Sequence, residues 1–421
     1  MAPQFDYDVA VVGLGYVGLP TALAFYSSGA RVLGIDINSA HLGRIRARDV
    51  DLLASDHARL RDALTSEHLT LSADTTTVAQ AAAVIICVPT PVTAYLVPDL
   101  TPLHRACEAV VEQARQGQVI ILTSTTYVGS TQDMLVKPLA ARGLRAGREI
   151  SVAFSPERID PGNDAHAHED VPRVVGGTSQ QCTAVAMKVL SRCMVNLHSV
   201  SSEGAAEMTK LLENTFRAVN IALANEIAEA SRALNIDVME VIGAAATKPY
   251  GFMPFFPGPG AGGHCIPCDP HYLLWQLRRE RLQTPVVAQA MSAIAGRPRR
   301  VVERVREVLS DSGMGLPGAR VLVLGVAYKA GVEDLRESPA LEIMEGLLAT
   351  RADVCYHDPY VPSVALTGGH VLSSVDPASV QADLVLVHTL HQGVDLAWLT
   401  EDQLILDATY RLAGARRRIT L

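Results

Sequence analysis

Residues 258–269 read Gly-Pro-Gly-Ala-Gly-Gly-His-Cys-Ile-Pro-Cys-Asp, which places a thiol, Cys265, four residues ahead of a carboxylate, Asp269. Glycine and proline at this density exclude an ordinary helix or strand. Glycine backbone also lets a ligand come close. A cysteine fixed in such a loop is a candidate covalent nucleophile. The same residues also read as a surface turn with an incidental cysteine, and the stretch alone does not choose. Cys265 and Cys268 have C-x-x-C spacing, which raises a zinc or dithiol site. No second ligand pair of suitable spacing accompanies them. No metal is therefore expected, and Cys268 reads as a packing residue.

A second set of residues has the types needed to bind a nucleotide. Residues 8–13 form a short β-branched run, followed at once by Gly13-Leu-Gly15-Tyr16-Val17-Gly18. A helical stretch over 19–28 comes next, capped by Gly29, then a strand over 31–35 that ends at Asp36. Strand, glycine turn, helix, strand, acid is the order that binds a dinucleotide. The glycines allow a tight turn, and the helix N-terminus favours a pyrophosphate. Asp36 would accept hydrogen bonds from the ribose hydroxyls and repel a 2′-phosphate, so NAD is expected in preference to NADP.

Further strands run over 83–88, 118–123 and 149–154. In a parallel sheet ligands gather where strands end, so Thr90, Ser124, Thr125, Glu157 and Arg158 are site candidates. Each taken singly is also an acceptable helix cap or turn residue. From about residue 201 the pattern changes. Leu212, Phe216, Val219, Leu223, Ile227, Ala230 and Leu234 recur at helical spacing, the apolar face of one long helix over 207–234. A helix of that length joins domains and often carries a dimer contact. Lys210 and Asn214 lie off that stripe and share a face. By default they are solvated, and beside a thiol loop they would suit oxyanion stabilisation.

Residues 249–259 read as loop, and 272–281 and 286–310 as helix; 311–318 is a linker. A second α/β unit begins after it, with strands at 320–324, 353–357, 382–388 and 403–406 and a helix from about Ser338. Its spacing repeats that of the N-terminal half, but only Gly325 stands for the glycine fingerprint. Lys329 and Arg336, between its first strand and helix, would reach phosphates or remain surface charges.

Composition narrows the class. Of 421 residues, 48% are apolar and 19% charged, so the chain folds and suffices for two or three domains. A net charge of −8 argues against nucleic acid as a partner. The Arg416–Arg418 run reads as a solvated tail. The first residues lack the pattern of a signal peptide, and no apolar stretch is long enough to span a membrane. Seven cysteines in a long chain fit a reduced, cytoplasmic protein.

Together these pieces resemble the UDP-glucose/GDP-mannose dehydrogenase family along essentially the whole chain. Residues 13–20, 124–129, 155–157, 210–214, 262–269 and 328–339 match its motifs in the family's order. The resemblance implies an α/β fold with two Rossmann-like, doubly wound domains joined by a long central helix. It implies an NAD-binding domain over 1–200, a helical dimerisation region with the cysteine loop over 201–310, and a nucleotide-sugar (UDP or dTDP) domain over 311–421. It implies a homodimer through the central helix and a four-electron oxidation of the C6 alcohol of an NDP-hexose to the uronic acid.

The family roles carry over position by position. Cys265 would be the nucleophile, with Lys210 and Asn214 on the oxyanion. Asp269 and Thr125 would place a water, and Glu157 would be the base. Gly13, Gly15, Tyr16, Val17, Gly18, Asp36, Thr90, Ser124, Thr125 and Arg336 would hold NAD. Glu157, Arg158, Lys210, Asn214, Phe256, Gly262 and Lys329 would hold the sugar nucleotide, with the glycines of the loop lying against the hexose. His41 departs from the basic residue many members carry near the ribose. The run 155–162 and the loop 248–260 look most like the UDP-N-acetylglucosamine 6-dehydrogenase branch. The base of the nucleotide and the C2 substituent stay open. So do a two-electron alcohol or hydroxyacid dehydrogenase and a non-catalytic NAD sensor.

Overall fold

The computed structural model describes residues 5–158, 169–414 and 417–421. The end of the run 155–162, from residue 159, and Arg416 lie outside the described residues. The chain divides into two compact units: Met1–Glu213 with His271–Arg281, and Asn214–Pro270 with Leu282–Leu421.

The first unit is built on an eight-stranded sheet. Its strands are β1 (Tyr7–Val12), β2 (Val32–Ile35), β3 (Leu69–Ser72), β4 (Ala81–Ile86), β5 (Val119–Leu122), β6 (Ser151–Phe154), β7 (Arg173–Gly177) and β8 (Leu197–Ser199), in the order β3-β2-β1-β4-β5-β6-β7-β8. All neighbours run parallel except β6 and β7. Alternate side chains of one strand enter opposite cores. Ala10 and Val12 pack with helices α4 (Thr101–Gln113) and α5 (Lys137–Ala141). Val9 and Val11 pack with α1 (Gly18–Ser27), α2 (Ser39–Ala47), α3 (Ala54–Ala63) and α6 (Gln180–Leu190). Burial on both faces is why these strands are continuous apolar runs. The strand order reverses between β1 and β4, which opens a crevice at their carboxyl ends.

Helix α7 (Glu203–Ala233) supplies residues to both units. Its apolar stripe does not enter a core: Leu212 is 58% and Phe216 46% exposed, and Leu223, Ile227 and Leu234 are also exposed. The buried face carries Lys210, Leu211, Asn214, Ala218, Ala222 and Ala228 instead. The alternative of a solvated Lys210 and Asn214 is thereby excluded. Small side chains on that face let neighbouring elements pack closely against the helix.

The second unit holds α8 (Val238–Ala246), the first residues of α9 (Asp269–Arg279), α10 (Pro285–Asp311) and α11 (Pro339–Ala349). Its five-stranded parallel sheet comprises β9 (Arg320–Leu324), β10 (Asp353–His357), β13 (Leu384–Val387), β14 (Ile405–Asp407) and β15 (Arg418–Thr420), ordered β10-β9-β13-β14-β15. A short hairpin, β11 (Ser363–Ala365) and β12 (Val371–Ser373), is separate. Arg418 is not part of a solvated tail. It opens the edge strand and pairs with the buried Asp407 at 2.9 Å. A terminal strand gives the arginine a fixed neighbour that composition could not reveal. Among the described residues no helix is long and apolar enough to cross a membrane.

Candidate active site

The expected site residues fall into two sets, one in each unit. In the first unit, Gly13 ends β1 in a left-handed conformation (φ 88°), and a Cβ there would lie 2.8 Å from the Cys87 carbonyl oxygen. A Cβ on Gly18 would lie 1.8 Å from the Gly13 carbonyl oxygen. Neither position admits a side chain, so the turn is as tight as a dinucleotide cradle needs. Helix α1 begins at Gly18, and among the described residues no side chain caps it. The Leu19 N–H donates to the Gly15 carbonyl at 3.1 Å and Pro20 has no N–H, so it is the dipole of the helix N-terminus that favours an anion here. Gly15 and Tyr16 are exposed, and Val17 is half-buried.

The half-buried Asp36 leans back onto this turn. Its Oδ2 accepts the Leu14 N–H at 3.0 Å and its Oδ1 accepts the Asn38 N–H at 2.9 Å. His41 Nε2 lies 2.9 Å from the Leu14 carbonyl, so this departure from the family pattern is used to hold the turn.

The rest of this set lies at the carboxyl ends of β4, β5 and β6. Thr90 is buried, and its carbonyl accepts the Tyr272 hydroxyl at 3.1 Å. The Ser124 hydroxyl donates to the Val88 carbonyl at 2.7 Å, so it ties two strand ends together. Thr125 is half-buried beside it. Glu207 on α7 grips the next turn, accepting from the Gly129 N–H at 2.6 Å, the Ser130 hydroxyl at 2.9 Å, and the Thr131 N–H and hydroxyl at 2.9 and 2.7 Å. This clamp fixes α7 against the 124–131 segment, and with it Lys210. Lys210 is 8% exposed and donates to the Glu157 carbonyl at 2.7 Å. Arg158 turns its guanidinium to Glu213 and to the Pro172 carbonyl. The Glu157 carboxylate meets the guanidinium of Arg173, which is 2% exposed.

The second set surrounds residues 258–269. The Asn225 side chain accepts the Gly258 N–H at 2.9 Å, and the buried Arg297 donates to the Gly258 carbonyl at 3.0 Å. The Gly263 N–H donates to the Arg336 carbonyl at 2.9 Å. A Cβ on Gly262 would lie 2.6 Å from the Tyr328 Cβ, and one on Gly263 would lie 2.8 Å from the Tyr328 ring. Close packing on Tyr328 therefore requires glycine at both positions. Downstream, the Cys265 carbonyl accepts the Cys268 and Asp269 amides at 3.2 and 2.8 Å, forming the turn that starts α9. Asn214, 3% exposed, donates to the Asp269 carboxylate. Within this pinned loop Cys265 is exposed while Cys268 and Asp269 are buried. Burial, and then the Arg336 charge, push the His264 imidazole below its ordinary value.

Phe256 is exposed and Lys329 half-buried. Arg336 forms a two-point pair with Asp334, with contacts of 2.6–3.0 Å. Among the described residues no cluster of three or more His, Cys, Asp and Glu side chains could hold a metal ion.

The chain matches the NAD-binding domain of the UDP-glucose/GDP-mannose dehydrogenase family over residues 7–194. It matches the family's central domain over 204–293 and its UDP-binding domain over 322–412. The chain belongs to the UDP-glucose/GDP-mannose dehydrogenase family. A UDP-N-acetyl-D-glucosamine 6-dehydrogenase of Pseudomonas aeruginosa is 34% identical to it, over 85% of this chain and 83% of that one. A UDP-N-acetyl-D-mannosamine dehydrogenase of Pyrococcus horikoshii is 35% identical, over 91% and 89%. The solved structure of a UDP-D-ManNAc dehydrogenase from Pyrococcus horikoshii superposes with a TM-score of 0.88, at 31% identity over 98% of each chain. The protein is thus an NAD-dependent oxidoreductase of the nucleotide-sugar dehydrogenase type. The glycine turn and Asp36 of the first unit fit the dinucleotide.

Sequence reasoning misses Arg173, Glu207, Tyr272, Arg297 and Tyr328. Each acts through a partner remote in sequence. Two signals are present all the same: a lone arginine opening an apolar strand, and a glutamate at the start of the helix that carries Lys210.

Proposed function

We propose that this enzyme oxidises the C6 hydroxyl of a UDP-hexose to the carboxylate in two successive two-electron steps through Cys265. The observation that carries the reading is an exposed thiol in a loop whose backbone is pinned on both sides, next to a buried Asn214–Asp269 pair. NAD, when bound, accepts the hydride that leaves C6 in each oxidation. The Cys265 sulfur adds to the aldehyde carbon left by the first oxidation, and Lys210 and Asn214 stabilise the resulting oxyanion. Loss of the second hydride leaves a thioester. A water held by Thr125 and Asp269 attacks its carbon, Glu157 takes the water's proton, and the C–S bond breaks. The electron pair returns to Cys265, which recovers a proton. One alcohol, two NAD⁺ and one water thereby give one carboxylic acid, two NADH and two protons.

Residues 1–200 hold NAD in this reading, 201–310 supply the thiol and the dimer contact, and 311–421 hold the nucleotide sugar. Thr90, Ser124 and Arg336 contribute to the NAD site, while Arg158, Phe256, Gly262 and Lys329 contribute to the sugar nucleotide's. An N-acetylated hexosamine is the first sugar to test, because two relatives carry such names. The exposed stripe of Leu212, Phe216, Leu223, Ile227 and Leu234 supports a homodimer. A cytoplasmic location goes with the seven cysteines of this long chain.

The test is NADH yield per sugar over UDP-N-acetylglucosamine, UDP-N-acetylmannosamine, UDP-glucose, dTDP-glucose and GDP-mannose. Two NADH per sugar are expected with at least one UDP-sugar. A yield of one means a two-electron dehydrogenase instead. Cys265→Ala should form no uronate, and full activity in that variant would sink the mechanism.

A further inference from the structure

Arg173 has no part in the chemistry so far, yet it is the largest fully buried side chain of the described residues. It opens β7, which runs antiparallel to β6. That direction puts it at the carboxyl edge of the sheet, where ligands collect. Its main-chain N–H donates to the Asn196 carbonyl at 2.9 Å, which fixes its backbone. Its guanidinium meets the Glu157 carboxylate. The other Glu157 oxygen accepts the Arg158 N–H at 2.7 Å, and the Glu157 carbonyl accepts Lys210 Nζ at 2.7 Å.

The remaining charged groups near this pair are accounted for. Arg158 is turned to Glu213. Cys87 and Cys193 face Arg173, but burial pushes both thiols up to about 12, so they are neutral and offer no counter-charge. Glu169, whose charge is felt at Cys193, is paired with Arg59.

A buried ion pair is seldom a net stabiliser compared with apolar residues of the same volume. Its place at the ligand edge, one peptide from the lysine contact, calls for a functional account. We propose that Arg173 is a positioning residue for the reaction: its guanidinium is the fixed counter-ion that keeps the Glu157 carboxylate ionised and oriented inside a buried site. This rests on the role of Glu157 given above. Burial alone would protonate a carboxylic acid at higher pH, and a protonated Glu157 cannot take a proton from water. Through the Glu157 main chain, the same contact also steadies Lys210.

The test compares wild type with Arg173→Met, Arg173→Lys and Glu157→Gln. Protein labelled with ¹³C at the glutamate carboxyl carbons is titrated by NMR, and the resonance missing in Glu157→Gln is that of Glu157. The rate of uronate formation is measured over the same pH range, and circular dichroism establishes that each variant is folded. In Arg173→Met the Glu157 midpoint should rise by about one pH unit or more. The acid limb of the rate should rise with it, giving about a tenfold loss below that limb. Arg173→Lys should restore most of both, and it carries the test if Arg173→Met does not fold. An unmoved NMR midpoint overturns the pairing. A moved midpoint with an unmoved acid limb overturns the role in the reaction. If wild type makes no NADH from any nucleotide sugar, the proposed function fails, and the NMR titration still decides the pairing.

Discussion

The two larger sheets of the molecule share one plan up to the glycine after their first strand, and then diverge. Gly13 comes after β1 and Gly325 after β9, both left-handed, at φ 88° and 78°. A Cβ on Gly13 would strike the Cys87 carbonyl, and one on Gly325 would strike the Thr389 carbonyl, each on the segment after the adjacent central strand. An aspartate sits just past the neighbouring strand in each sheet: Asp36 after β2 and Asp358 after β10. Each carboxylate reaches back to amides of the turn, Leu14 in one case and Val326 and Ala327 in the other.

The difference lies in the acid's other contacts and in the chain between the turn and the next helix. Asp36 is half-buried and, among the described residues, holds its turn and the Asn38 N–H. Asp358 is 3% exposed and also accepts from Tyr360, Val361 and His391 Nε2. His391 Nδ1 accepts the Gly331 N–H at 3.0 Å, so Nε2 carries the ring proton that faces Asp358. Helix α1 starts directly after its turn, at Gly18, whereas α11 waits until Pro339. A loop with Lys329 and Arg336 fills the interval. The first sheet therefore offers an acid and a helix N-terminus to a ligand. The second has turned its acid inward and presents cationic side chains instead. One scaffold can thus serve a dinucleotide or a different phosphate ligand, depending on whether the acid is left open.

The most severe way to test this contrast is to remove the internal acid. Asp358→Ala leaves His391 and four amides without their acceptor inside the second unit. A loss of about 3–5 kcal/mol is expected, because several buried donors lose one charged acceptor, at about 1–3 kcal/mol for each donor left unsatisfied. Urea unfolding measures it. A loss below about 1 kcal/mol would mean that Asp358 is an open acid like Asp36.

A second test uses acid. By register, His388 in the second unit corresponds to Cys87 in the first: the Cys87 N–H donates to the Val12 carbonyl and the His388 N–H to the Leu324 carbonyl. Burial pushes the His388 imidazole down to about 4 from the ordinary 6.5. The unfolded chain therefore binds this proton near pH 6.5 and the folded chain only near pH 4. The stabilisation is complete above 6.5 and is lost as pH falls towards 4, by up to about 3 kcal/mol. Asp358 adds its own loss at lower pH. Burial raises its carboxyl, but His391 and the amides outweigh burial and hold it near 2, so that contribution fades between about pH 4 and 2. His388→Cys, which installs the first unit's residue, should reduce the loss of stability between pH 6.5 and 4, leaving the smaller part due to His264 and His271, whose imidazoles burial also pushes down. An unchanged slope would show that His388 is not the titrating group.

These contrasts also mark how much of the molecule is legible in the chain. The strands of both sheets are visible because burial on both faces makes them apolar runs, and the glycine turn is visible because its spacing is local. Helical periodicity locates α7 but not its core face. Period shows that one side is apolar, not that this side is covered, and here Ala218, Ala222 and Ala228 face inward while Leu212 and Phe216 do not. The packing of glycines 262 and 263 on Tyr328 is hidden in the chain, being a contact across more than sixty residues. Arg173 is invisible for the same reason. Its partner Glu157 lies on the preceding strand end, and only the antiparallel turn of β7 brings the two together.

The smallest expected effect sharpens the comparison most. Asp36→Ala removes two amide contacts from a half-buried carboxylate, so its cost in stability should be about 1 kcal/mol, well below that of Asp358→Ala. Its effect should fall on the ligand. A carboxylate beside the glycine turn favours ribose hydroxyls and repels a 2′-phosphate. Without it, NAD should bind about tenfold more weakly and NADP more tightly, each tenfold being about 1.4 kcal/mol. Titration of both dinucleotides by fluorescence reads this directly, and Asp358→Asn protein that remains folded should keep the wild-type NAD affinity. Tight NADP binding by wild type would remove Asp36 from its role. Equal effects of the two aspartates on NAD affinity would erase the distinction between an open acid and an internal one, and with it the reason the second sheet is not expected to hold a dinucleotide.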